Sequence, residues 1–248
     1  RAIEVEVLLS ADDASPEVKL VDLAREVDEA RLSPDGKTVA IVARGDVFVR
    51  SVEEDRPTRR ITSGPARDGD LAWAPDGSRL YFASDAATGF RSIHSAEVVL
   101  TRSDIAPEDE EEEGAQQEQP EEESEAPDDG EEAAGEDGEA VDEDDEPEEP
   151  DHGARWAEAL TFRTTVLVEE QGMDLWGPMP SPDGQALLYH RERGDLMLRH
   201  LPTGKTRAVL RGWDEPDVQW TADSRHIVYS VVDLDFNSDV WIGDVGQH

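Results

Sequence analysis

Ser33-Pro34-Asp35-Gly36 constrains this chain more than any other stretch. It recurs as Ala74-Pro75-Asp76-Gly77 and Ser181-Pro182-Asp183-Gly184, and in altered form as Thr221-Ala222-Asp223-Ser224. Proline pre-sets φ at the first central position of a turn, aspartate hydrogen-bonds its own backbone, and glycine takes positive φ without a steric cost. Short apolar, alternating runs flank each copy, so each predicts the tip of a β-hairpin. Pro34 and Pro75 are 41 residues apart, and Pro182 and Ala222 are 40 apart. A period near forty with several strands per unit predicts stacked β-sheet blades.

The flanking residues keep register with the turns. Trp73 and Trp220 stand two residues before Pro75 and Ala222. Leu80, Leu187 and Ile227 fall at one inward position after the turn. Gly45-Asp46, Gly194-Asp195 and Ser238-Asp239 each open a third strand. The repeated tryptophans are expected in the core between blades rather than in ligand cages, because stacked sheets bury one another's faces. The fold expected is all-β: a β-propeller segment of about four antiparallel four-stranded blades, roughly 24–64, 65–172, 173–212 and 213–248, forming an open arc. Further strands are expected at Ile3–Leu9 and Val18–Leu23. The last blade is expected to lack its fourth strand because the chain stops. The chain begins with Arg1, not Met, and is read as a piece of a longer protein.

Charge divides the chain. The formal net charge is −38, yet residues 106–151 hold 26 Asp and Glu with no Lys or Arg, and the remainder carries only −12. This stretch is too poor in apolar residues to offset its chain entropy, so a disordered insertion over 106–152 is expected. Pro75 and Pro182 are 107 residues apart, a surplus larger than the acidic tract. Strands near Ile93–Leu100 and Trp156–Val168 are therefore expected to form a protruding hairpin beneath it. Deleting 106–151 is expected to leave the fold intact. The tract reads as a solvating loop or as a docking site for basic partners or divalent ions.

An acidic chain without clustered Lys and Arg excludes nucleic acid as a partner. No apolar run reaches a membrane span. There is no cysteine, hence no disulfide and no thiolate metal site.

Catalytic signals are missing. There is no Gly-x-Ser-x-Gly elbow, no Gly-rich phosphate loop and no His-Glu-x-x-His spacing. His190 and His226 are read as structural. No catalytic residue, cofactor-binding residue or cofactor is expected. One metal pattern stands out: Asp233, Asp235, Asn237 and Asp239 alternate like the first half of a calcium loop. Ser238 sits where that loop needs glycine, however, and a strand follows instead of a helix. The plainer reading is a polar loop between strands.

Ser-Pro-Asp-Gly-Lys, an apolar strand, Arg-Gly-Asp-Val-Phe-Val and a closing Arg-Arg-Ile-Thr resemble the repeats of TolB-type propellers. More specifically, residues 39–49 and 233–243 resemble blades of the second propeller of tricorn-like proteases, and Ile3–Asp13 resembles the link entering it. The resemblance spans nearly all the chain outside the acidic tract. It implies a parent that is a self-compartmentalising serine peptidase, whose propellers form channels for peptides. The implied function here is a non-catalytic propeller that guides or gates peptide substrates to a peptidase core outside this chain. The implied partners are peptides and the parent's other domains, in a parent compatible with a homo-oligomer. The expected compartment is the cytoplasm, with periplasmic or secreted alternatives. The chain departs from the family in its acidic insertion and in covering four blades where the family has seven. A TolB-type binding scaffold and the propeller of a prolyl-oligopeptidase-type enzyme remain open.

Overall fold

A computed structural model of the protein describes residues 25–53, 56–105, 151–232 and 237–246. The expected strands at Ile3–Leu9 and Val18–Leu23, and the acidic stretch 106–150, lie outside the described residues.

The turns form as their chemistry dictates. Gly36, Gly77 and Gly184 have φ of 73°, 73° and 68°. Ser33 Oγ donates to Asp35 Oδ1 at 2.5 Å, and the Lys37 amide donates to the same oxygen at 3.0 Å. Ser181, Asp183 and Gln185 repeat this geometry. In the altered fourth copy Ser224 takes the left-handed position at φ 57°, which costs a non-glycine residue energy. Its hydroxyl meets that cost with a contact glycine lacks: Ser224 Oγ accepts from the Asp183 amide of the preceding unit at 3.0 Å.

Four sheets follow, all antiparallel. The first holds β1 (Val27–Leu32), β2 (Thr38–Ala43), β3 (Asp46–Ser51) and the two-residue β4 (Arg59–Arg60). The second holds β5 (Asp68–Trp73), β6 (Leu80–Ser84), β7 (Ser92–Thr101) and β8 (Ala159–Val168). The third holds β9 (Leu175–Pro180), β10 (Ala186–Arg191), β11 (Asp195–His200) and β12 (Thr206–Leu210). The fourth holds β13 (Val218–Trp220), β14 (His226–Val232) and β15 (Ser238–Asp244), three strands among the described residues. Strands within each sheet pair in chain order, the up-and-down order of a propeller blade.

The core lies between sheets. Sheets 1 and 2 enclose Val47, Val49, Leu71, Trp73, Leu80 and Phe82. Sheets 2 and 3 enclose Tyr81, Ile93, Leu187, Tyr189 and Met197, and sheets 3 and 4 enclose Leu188, Leu196, Leu198 and Ile227. The predicted inward trio Leu80, Leu187 and Ile227 is fully buried. The indoles of Trp73 and Trp220 each reach back one sheet, donating to the carbonyls of Arg31 and Met179 at 3.0 Å.

The long hairpin at the acidic insertion forms: β7 and β8 have ten residues each and pair from Ile93↔Val168 to Thr101↔Ala159. Its base differs from expectation. Trp156 does not begin a strand, and residue 152, expected within the disordered insertion, is helical. Instead α1 (His152–Glu158) precedes β8. Asp151 caps it, accepting from the Ala154 amide at 3.0 Å, as a side-chain oxygen does at a helix start. Asp151 also bridges to Lys37 Nζ of sheet 1 at 2.6 Å, which holds its carboxyl below the usual range. A deletion meant to spare the fold therefore ends at residue 150, not 151. Trp156 is the reason for the helix's placement. It packs edge-on against Trp73, stacks on Phe162 and donates to the Gly77 carbonyl at 2.9 Å. The helix plugs the seam between sheets 1 and 2. No helix among the described residues is long and apolar enough to cross a membrane.

Candidate functional site

Strand pairing places one set of loops together. Asp68, Ser84 and Ser92 are in register across sheet 2, as are Leu175, Arg191 and Asp195 across sheet 3. The first-strand starts and the second-to-third-strand turns therefore share one rim, opposite the Pro-Asp-Gly turns. A cleft of about 450 Å³ opens on this rim. Arg91, Asp174, Trp176, Glu192, Trp213 and Glu215 line it, together with Arg193 and Asp214.

Backbone and side chains fix its walls. Asp174 Oδ1 accepts from the Arg91 amide at 2.8 Å, and Glu192 Oε1 accepts from the Asp174 amide at 2.9 Å. The first bond ties sheet 2 to sheet 3, and the second lies within sheet 3. The Trp176 indole donates to the Glu192 carbonyl at 3.2 Å and stacks on His190 with centroids 4.4 Å apart. Arg91 also lies over Trp176, its guanidinium carbon 5.8 Å from the ring centroid. Gly177 is required on two counts: its φ is 59°, and a Cβ there would come 3.0 Å from His190 Cδ2. At the far wall, a Cβ on Gly194 would lie 2.3 Å from the Gly212 carbonyl oxygen. That close approach sets the loop that presents Trp213, which is 55% exposed.

The rim is crowded with negative charge. Burial pushes the Glu215 carboxyl up, and Asp217, Asp214 and Asp70 push it further. Burial pushes the His190 imidazole down, against the opposing pull of Asp70 and Asp217. His190 Nδ1 is buried without a hydrogen-bond partner among the described residues.

A second grouping has the look of a nucleophile and its base. Ser92 Oγ lies 2.9 Å from His94 Nε2, and Asp68 is close enough to act on His94. Burial assigns another role. Ser92 Oγ also lies 3.1 Å from the Ser84 carbonyl. Ser92 is 1% exposed and His94 8%, and His94 stacks on Phe82, so the pair is closed to a substrate. The group is structural. Order along the chain did not reveal it, because Asp68 and His94 meet only through sheet pairing.

His226 Nδ1 lies 2.8 Å from Asp223 Oδ2 within the fourth turn, where the structural reading of this histidine has its physical basis. Of the calcium candidate, Asp233 and Asp235 lie outside the described residues. Asn237 precedes β15, and Asp239 is in β15 paired with Val231. No metal-holding group of three or more His, Asp or Glu occurs among the described residues.

The two buried histidines carry a prediction. His94 and His190 are held below the ordinary 6.5 by burial. As pH falls below 6.5 the unfolded chain binds protons that the folded chain does not. Stability therefore declines with acidification until the folded-state values are passed. Glu215, raised above 4.5, acts in the opposite sense just above that pH. The carboxylates lowered from 3.8, such as Asp183 and Asp223, act only at lower pH. Thermal midpoints should fall between pH 7 and pH 5, and His190→Asn should flatten that slope. An unchanged slope would show that these imidazoles are not its source.

No protein-family model matches the sequence, and no curated protein matches it. Solved structures do. A protein described as a TolB of Agrobacterium tumefaciens is 14% identical with a TM-score of 0.51, over 90% of this chain and 62% of that one. A TolB of Acinetobacter baumannii is 14% identical with a TM-score of 0.52, over 88% of this chain and 41% of that one. A puromycin-hydrolyzing peptidase of Mycobacterium tuberculosis is 15% identical with a TM-score of 0.50, over 88% of this chain and 27% of that one. The chain thus spans less than two thirds of each. With its register-matched turns and stacked sheets, what these likenesses establish is the fold, a β-propeller segment similar to those of TolB-type proteins.

Proposed function

We propose that this chain is a non-catalytic propeller segment that binds extended peptides on its loop rim and guides them to a peptidase core outside it, in the manner of tricorn-like proteases. The observation carrying this reading is the cleft between Trp176 and Trp213. Indole faces contact peptide side chains over large area at low entropic cost. Asp214 and Glu215 add a preference for basic side chains or a free N-terminal ammonium, because a cation offsets the burial and the neighbouring carboxylates that raise Glu215. The fold's likeness to a puromycin-hydrolyzing peptidase supports attachment to a peptidase, and is compatible with a prolyl-oligopeptidase-type parent.

Fluorescence anisotropy with labelled, unfolded basic peptides tests this. Trp213→Ala should weaken binding roughly tenfold or more, as a truncated aromatic anchor does. Added salt should weaken it further. The chain alone should cleave none of these peptides. Failure of every peptide to bind, or cleavage blocked by a serine-directed inhibitor, would overturn the reading.

A further inference from the structure

The three interfaces inside the arc show what each sheet face takes. In sheet 3, Leu188, Leu196 and Leu198 are covered by sheet 4 through Ile227. The pairs Leu188↔Leu198 and His190↔Leu196 correspond in register to Val228↔Ile242 and Ser230↔Val240 of sheet 4. Leu196 is 0% exposed and Leu198 8%, but Val240 and Ile242 are each 72% exposed. Solvent contact at such positions costs about 25 cal/mol per Å² of apolar surface. Beside them lies a cleft of about 380 Å³ lined by Asp217, Val218, Gln219, Val228, Ser230 and Val240.

Two polar features of the cleft are also repeats. Five residues before the second turn residue stand Glu29, Asp70 and Asp217. Glu29 accepts the Leu71 amide of the next sheet at 3.2 Å, and Asp70 accepts the Gly177 amide of the next sheet at 3.3 Å. Three residues before the same turn residue stand Arg31, Met179 and Gln219. The Arg31 and Met179 carbonyls each accept an indole N–H from the next sheet. Asp217 and Gln219 are both exposed.

We propose that sheet 4 is a socket for one further sheet of the same repeat. Its first strand donates a backbone N–H to Asp217. A tryptophan just before its turn donates to the Gln219 carbonyl, and the aliphatic residue after that turn packs on Val228, Val240 and Ile242. A second copy of this chain fits less well. Its sheet 1 carries Leu32, which has no donor, at the indole position, and the net charge of −38 on each copy opposes self-association.

The test extends the chain. A copy of residues 203–246, joined after Gly246, supplies a fourth strand for sheet 4 and then a sheet bearing Trp220. A second extension, 203–210 followed by 173–246, supplies two sheets already packed together, so a lone sheet that fails to fold decides nothing. At least one extension should slow amide exchange in β14 and β15 tenfold or more, as burial in a cooperative unit does. Val240→Asp with Ile242→Asp in the original copy should abolish that protection while leaving the thermal midpoint of the unextended chain nearly unchanged. Trp220→Phe in the appended sheet should reduce it. Unchanged exchange with both extensions overturns the proposal. So does an unextended chain that sediments as a dimer dissociated by the two aspartates, which would make a second copy the occupant.

Discussion

Replacing Trp156 by alanine should lower the stability of the fold by about 3–5 kcal/mol, the range for truncating a large buried aromatic. Trp156 is 3% exposed and fills the seam between sheets 1 and 2 against Trp73 and Phe162. Its loss leaves a cavity and removes the donor to the Gly77 carbonyl. Urea denaturation followed by far-ultraviolet circular dichroism measures the change. Trp156→Phe should recover part of the packing but not the hydrogen bond, and so fall between. A wild-type midpoint for Trp156→Ala would show that α1 merely rests on the sheets.

Leu187→Ala should cost about 2–5 kcal/mol. Leu187 is fully buried at the position after the turn, in the core shared by sheets 2 and 3. Those sheets are joined without the indole bond that ties the other two pairs, since Pro180 stands where Trp73 and Trp220 stand. Apolar contact therefore carries more of this interface. Val240→Ala, on the exposed side of sheet 4, should cost under about 0.5 kcal/mol as a surface substitution. Equal losses at the two positions would contradict the face assignment.

Legibility in the sequence followed distance along the chain. The four turns were readable because each is complete within six residues: an aspartate accepting its own amides in all four, with a proline and a glycine at positive φ in three of them. The inward positions of Leu80, Leu187 and Ile227 were readable because a strand alternates with period two and the turns supply a common origin. The long β7–β8 hairpin was readable from the surplus in the repeat spacing. Helix α1 was not. Seven residues beside a polar run carry no helical periodicity, and a helix this short is not stable by itself. It exists because Trp156 finds a seam made by two sheets.

The candidate site was less legible still. Arg91, Glu192 and Trp213 come from three separate connections and Trp176 from β9, and nothing in their spacing joins them. The pairing of His190 with Trp176, and the demand for glycine at 177, arise from one sheet's register. The Ser92–His94 contact looks catalytic by proximity and is disqualified by its burial against Phe82.

The sequence by itself determined the turns, the period, the strand alternation and the acidic tract, because each rests on backbone preferences and solvation within a few residues. Tertiary structure alone decided which tryptophan plugs a seam, which carboxylates crowd the rim and which apolar face is left open. Those outcomes depend on groups 40 to 107 residues apart, such as Trp73 with Arg31 and Gly177 with Asp70. Only packing of one sheet on the next brings such groups within hydrogen-bond reach.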